Sequence, residues 1–197
     1  MIKLHGPGSP DASRIIRVGD QVTFGVSNDG YRLGGWVYVD GWQGGWGESG
    51  YSLELYKWYH VMMIWDETAR RYHVNGQHVK SVSFTGSING SAGPTRVGGW
   101  PDESPQWFNG LIAFVRVYDE RLFNWLGEQG KTIDWFVKYN MLNYHSPVRA
   151  GLVLWLDFEE GHGDKAYDKS GQGNHGTIHG ATWVRVGQYE LRAEVGL

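Results

Sequence analysis

The chain of 197 residues has no cysteine, only six prolines, no apolar run approaching 18 residues and no surplus of positive charge. Without cysteine there is no disulfide framework, and the compartment stays open, because a domain of this length can fold without bridges. The N-terminal MIKLHGPGSP carries no apolar core and no later run is long enough to span a bilayer, so neither a signal peptide nor a membrane span is expected. A formal net charge of -3 gives no basic footprint for nucleic acid. Proline is scarce while glycine, at 30 residues, is about twice its usual share, which places the glycines in turns and bulges rather than in a disordered linker.

Aromatic residues are abundant instead. Eleven Trp and eleven Tyr exceed what the core of one small domain requires, and the length suits one all-β domain better than two. The stretch Trp58 to Val82 organises the rest. It reads as a strand over Tyr59 to Trp65, a turn over Asp66 to Arg71 and a second arm over Tyr72 to Val74. Asn75-Gly76 then supplies the pair that most readily takes positive φ at both centres of a two-residue hairpin, turning the chain into His78 to Phe84. On the second arm Arg71, His73 and Asn75 alternate with Tyr72 and Val74, the pattern of one wet and one dry face. Upstream, Arg14 to Val18, Gln21 to Val26 and Tyr31 to Val39 alternate with the turn signals Gly19-Asp20 and Asn28-Asp29-Gly30. Downstream, Thr95 to Gly99 and Gly110 to Tyr118 read as strands, the latter central in its sheet because it is apolar on both faces. The period then changes to 3.6 residues over Asp119 to Asn143, which predicts a short helical turn and a longer helix near Thr132 to Leu142.

Trp58, His60, Val61, Trp65 and Asp66, followed by Arg71, Tyr72, Asn75 and Gly76, then Val97, Gly98 and Gly99, then Phe108, Gly110, Ile112, Val115, Arg116, Val117 and Tyr118, make a spaced pattern. It resembles the laminin-G-like branch of the concanavalin A-like lectin/glucanase superfamily. The resemblance implies a two-sheet antiparallel jelly-roll sandwich, here with a small helical insertion near 120–145. Residues 151–183, from an apolar strand through Asp168-Lys-Ser-Gly to Trp183, resemble the opening of the same domain. The family's beginning thus stands at this chain's end. One reading is a single circularly permuted domain over 1–197, with the family's C-terminal part at 14–122, a connector at 123–150 and its N-terminal part at 151–197. Leu152 to Phe158 then pairs with Gly110 to Tyr118, since an unpaired LVLWLDF would leave an open apolar edge. The other reading makes the same pairing between subunits, a homo-oligomer by strand exchange.

Three kinds of site follow. Glucanase relatives carry two or more acidic residues at alternate positions of one strand, so that both face the cleft. No Glu here is followed two residues later by Asp or Glu, which points away from that chemistry. The resemblance implies a structural Ca²⁺ near the Asp-x-Ser-Gly loop, for which Asp157, Asp164 and Asp168 offer hard oxygen ligands; Asp168 equally suits a turn-forming role on the amides of Ser170 and Gly171. For ligand binding, sugar rings stack on flat aromatic faces with amides and carboxylates beside them. Trp36, Trp42, Trp46, Tyr51, Trp100 and Trp107, with Asp40 and Glu48, offer that mixture around glycine-rich loops. The expectation is a non-catalytic, lectin-like module for glycan or polysaccharide, extracellular, on a cell surface or on a virion. The alternative is a structural or assembly protein whose aromatics make subunit contacts.

Overall fold

A computed structural model describes residues 1–7, 12–27, 31–39, 45–99 and 106–187. One layer is a five-stranded antiparallel sheet of β2 (Ala12–Val18), β3 (Val22–Ser27), β4 (Arg32–Val37), β5 (Gly47–Ser52) and β10 (Thr95–Val97), ordered β10-β2-β3-β4-β5. Opposite lie β1 (Ile2–Leu4), β6 (Trp58–Tyr59) and β11 (Gly110–Ile112) in the order β11-β1-β6, then the meander β7 (Val61–Trp65), β8 (Ala69–Val74) and β9 (Gln77–Ser83). The core forms where the two layers face each other. Phe24, Val26 and Leu33 from the first layer pack with Ile2, Leu4, Tyr59, Tyr72 and Val74 from the second, all at most 6% exposed. Burying that many large apolar and aromatic side chains is the main stabilising term of the sandwich.

The Asn75-Gly76 turn has φ of 47° and 77°, the doubly left-handed geometry the pair favours. It carries a second function. The Asn75 side-chain oxygen accepts the His60 backbone amide at 2.9 Å, and the Asn75 amide donates to the His60 carbonyl at 2.8 Å. His60 is therefore where the expected strand Tyr59 to Trp65 breaks: β6 pairs with β1 on one side of it and β7 with β8 on the other. The turn before β8 is shorter than expected. Asp66 closes it by accepting the amides of Thr68 and Ala69, so that Ala69, Arg70 and Arg71 already belong to the strand.

The expected strand Gly110 to Tyr118 is likewise two strands in two sheets rather than one central strand. β11 is an edge on β1, and after Ala113-Phe114 the chain continues as β12 (Val115–Tyr118), paired with β13 (Leu152–Leu156) in the register Val115↔Leu156, Arg116↔Trp155 and Val117↔Leu154. A two-stranded ribbon, β14 (Lys165–Ala166) with β15 (Gly176–Thr177), follows. Between β12 and β13 the 3.6-residue period gives α1 (Arg121–Glu128) and α2 (Ile133–Leu142). Thr132 caps α2 by accepting the Trp135 amide at 3.1 Å. Leu122, Leu126, Phe136 and Val137 bury against Ile64 of β7, so the helices cover the outer face of the meander. That cover corrects the expectation of a wet face: His73 is 1% exposed.

Candidate functional site

Strand pairing sorts the aromatic candidates by face. In the five-stranded sheet Arg17 stands opposite Thr23 and Thr23 opposite Trp36; one step along, Arg14 faces Gly25, Gly25 faces Gly34 and Gly34 faces Glu48. Phe24, Val26 and Leu33 point into the core, so by alternation these two rows lie on the outer face. The paired glycines leave the centre of that face bare. Trp46, which precedes β5, fills it: a Cβ on Gly34 would lie 2.8 Å from the indole Cε2 and Cζ2. The Arg14 guanidinium sits 4.6 Å over the Trp46 ring while its Nε donates to the Gln106 side chain at 2.6 Å. Arg17 lies 6.0 Å over Trp36, whose ring meets Tyr38 edge-on at 6.4 Å. Arg32 pairs with Glu48 at 2.7 Å.

Trp36, Trp46 and Glu48 therefore come together, and both indoles are half-buried among arginines rather than bare. Sequence reasoning missed Arg14, Arg17 and Arg32. Alternation alone could not have found the first two together: Arg14 and Arg17 are three residues apart and share a face only because the β2–β3 register shifts between Arg14 and Ile16. Tyr51 is a correction. It lies past a register shift in the β4–β5 pairing and, 37% exposed, meets the core ring of Tyr59 edge-on at 6.5 Å rather than joining Glu48. Trp107 is 49% exposed and packs on Gly99. Its neighbour Gln106 reaches Arg14, which puts this segment at the border of the same face. Trp42, Trp100 and Asp40 lie outside the described residues.

The proposed calcium ligands do not gather. Asp168 is buried, and both its oxygens are taken by donors of the chain: Oδ1 accepts the amides of Trp155 and Ser170, each at 2.9 Å, and Oδ2 accepts the Asn174 amide at 2.9 Å and the Ser170 hydroxyl at 2.7 Å. Burial alone would raise its pKa; these hydrogen bonds outweigh it and hold the carboxyl below its ordinary value. Asp157 pairs with Lys169. Asp164 is exposed, and its backbone carbonyl accepts the Ile178 amide. Among the described residues no three acidic or histidine side chains are close enough to hold an ion. The residues thus suit a hydrogen-bonded staple, in which Asp168 ties the 168–174 loop to β13, rather than a cation cage.

A second concavity lies on the meander side, between β8, β9 and the start of α2. It is a shallow, open depression of about 360 Å³ lined by Arg71, His73, His78, Thr132, Ile133 and Asp134. Desolvation, with His78 beside it, lowers the His73 pKa to about 4, so the imidazole is neutral at ordinary pH.

No helix among the described residues is long and apolar enough to cross a membrane. No curated protein matches the chain. Among solved structures, the crystal structure of a "putative carbohydrate binding protein" from Bacteroides ovatus matches with a TM-score of 0.62 at 17% identity, covering 93% of this chain and 54% of that one. The chain thus spans about half the length of that structure. The family model described as the concanavalin A-like lectin/glucanases superfamily matches residues 6–124, which include the five-stranded sheet and the meander. On that match the chain belongs to the concanavalin A-like lectin/glucanase superfamily.

Proposed function

We propose that this protein is a non-catalytic, lectin-like module that binds glycan on the outer face of its five-stranded sheet. The observation that carries this reading is the convergence of Trp46 and Trp36 with Arg14, Arg17, Arg32 and Glu48 around the glycine strip of β3 and β4. Indole edges and faces give a pyranose its apolar contact, and guanidinium and carboxylate groups beside them give its hydroxyls donors and acceptors. Superfamily membership and the carbohydrate-binding description of the Bacteroides ovatus protein support the same role. The sequence has no alternating pair of acidic residues beginning with Glu, which favours binding over hydrolysis. A circularly permuted order of the family's parts and a location outside the cell or on a virion belong to this reading too; the β12–β13 pair supports the first.

A glycan array followed by calorimetry tests it. Binding of at least one oligosaccharide that drops about tenfold or more in Trp46→Ala, with the fold intact by circular dichroism, is the expected result. Absence of binding across the array, with a mass above the monomer, would instead favour an assembly protein.

A further inference from the structure

The superfamily match ends at residue 124, before α2, and the start of α2 builds one wall of a cleft. Rows across the meander run Ile64–Arg71–Ser81 and Met62–His73–His78. The helices cover the β7 end of these rows through Ile64 and Met62. The β8 and β9 ends stay open and form one wall, and the first turn of α2 forms the other.

The polar groups on these walls are arranged and incompletely used. Asp134 holds its carboxylate Oδ1 3.6 Å from His73 Nε2, just beyond hydrogen-bond reach, and is 70% exposed. His73 is buried, and its Nδ1 has no hydrogen-bond partner among the described residues. The His73 and His78 rings meet edge-on with centroids 5.3 Å apart. His78 Nε2 lies 2.9 Å from the Ser81 hydroxyl, which also accepts from Arg71 Nη1 at 3.2 Å. Arg71 is neutralised by Asp66 at 2.7 Å. Ile133 adds an apolar surface.

We infer that this cleft is a second, separate sugar site, which takes one neutral pyranose unit through a pair of adjacent hydroxyls. The inference rests on the reading of the protein as a glycan binder. A carboxylate with open lone pairs is the group that accepts two vicinal hydroxyls at once. The imidazole on the facing wall donates to or accepts from a remaining hydroxyl, the guanidinium donates to one, and Ile133 meets the C–H side of the ring. Other ligands fit less well. Asp134 at the mouth repels phosphate and other anions, and the three potential metal donors do not gather on a point.

The test is a titration of the uniformly ¹⁵N-labelled full chain with methyl glycosides of glucose, galactose, mannose, fucose and N-acetylglucosamine. Backbone amides and the imidazole nitrogens of His73 and His78 report on the cleft. The indole of Trp46 reports on the sheet face. The expected result is that one or more glycosides shift the His73 and His78 imidazoles and the amides of 132–135. Asp134→Asn and His78→Ala each weaken that response about tenfold, and Trp46→Ala leaves it unchanged. Shifts confined to Trp46 and its neighbours, abolished by Trp46→Ala, would overturn the cleft and leave the sheet-face reading standing. Cleft shifts that persist at full strength in both cleft variants, or that inorganic phosphate reproduces, would also overturn it. No response at either place would overturn both readings.

Discussion

Gly34 decides whether Trp46 can sit on the sheet. Its backbone is not in the left-handed region, so alanine would be tolerated by the chain itself; the obstacle is the indole 2.8 Å from where the new methyl would stand. Gly34→Ala should therefore unfold nothing but displace Trp46 from beneath Arg14. Expected outcomes are a change in tryptophan emission, a stability loss of about 1–3 kcal/mol from overpacking, and a fall in glycan affinity although residue 34 offers no group to the ligand. Unchanged emission would show that the indole does not rest there. Asp168 is the opposite kind of residue, fixed by what it receives. Asp168→Ala strands three backbone amides and the Ser170 hydroxyl around β13, and should cost about 3 kcal/mol or more in urea denaturation. Since those donors already fill its lone pairs, chelator should leave the melting temperature of the native chain unmoved; a drop of several degrees would restore the calcium expectation.

At the scale of elements, the meander carries two buried histidines that make it sensitive to acid. Burial is the first cause in both, keeping His60 well below its ordinary pKa and His73 at about 4. An unfolded histidine takes up its proton near pH 6.5. Between about 6.5 and 4 the unfolded chain thus binds more protons than the folded one, so stability, intact above the upper value, falls as the pH falls through this window. Urea midpoints measured from pH 7.5 to 4 should show the decline, and His73→Gln should flatten part of it; equal slopes for both proteins would refute the assignment. The same element shows how far sequence carries. Asn75-Gly76 was readable because the turn geometry is local, and α2 because the period of Ile133, Phe136, Val137, Asn140 and Met141 is local. The break at His60 was not: it depends on an Asn75 side chain fifteen residues away. Nor was the burial of His73, because the alternation of Arg71, His73 and Asn75 describes a strand before α2 is laid over it. Of the candidate site, neither the separation of Tyr51 from Glu48 nor the joining of Trp46 to Trp36 was legible, because both depend on the cross-strand register and its shift between β4 and β5.

For the whole molecule, the question is whether the last part of the chain completes its own sandwich or another's. β13 pairs with β12 within one chain, and Asp168 fastens the following loop to it. What makes that closure local is the insertion between the two strands. Leu122, Leu126, Phe136 and Val137 fold the connector back onto Ile64, and Arg116 on β12 reaches across to the Asn140 carbonyl at 3.2 Å and to the Tyr144 carbonyl near the end of α2. A connector held down at both ends cannot extend to a neighbour without first losing those contacts, and truncating one fully buried Phe alone costs about 3–5 kcal/mol. The protein should therefore be a monomer by light scattering from micromolar to high micromolar concentration. Phe136→Ala weakens the clasp, removing the ring that meets Tyr118 of β12 edge-on at 5.0 Å but none of the β12–β13 backbone pairing, so it should be the variant that opens the route to exchange, giving a dimer that grows with concentration. If the native chain is already a dimer, and Phe136→Ala leaves its mass unaltered, then the connector is not what keeps the two strands together, and the pairing has to be sought between subunits.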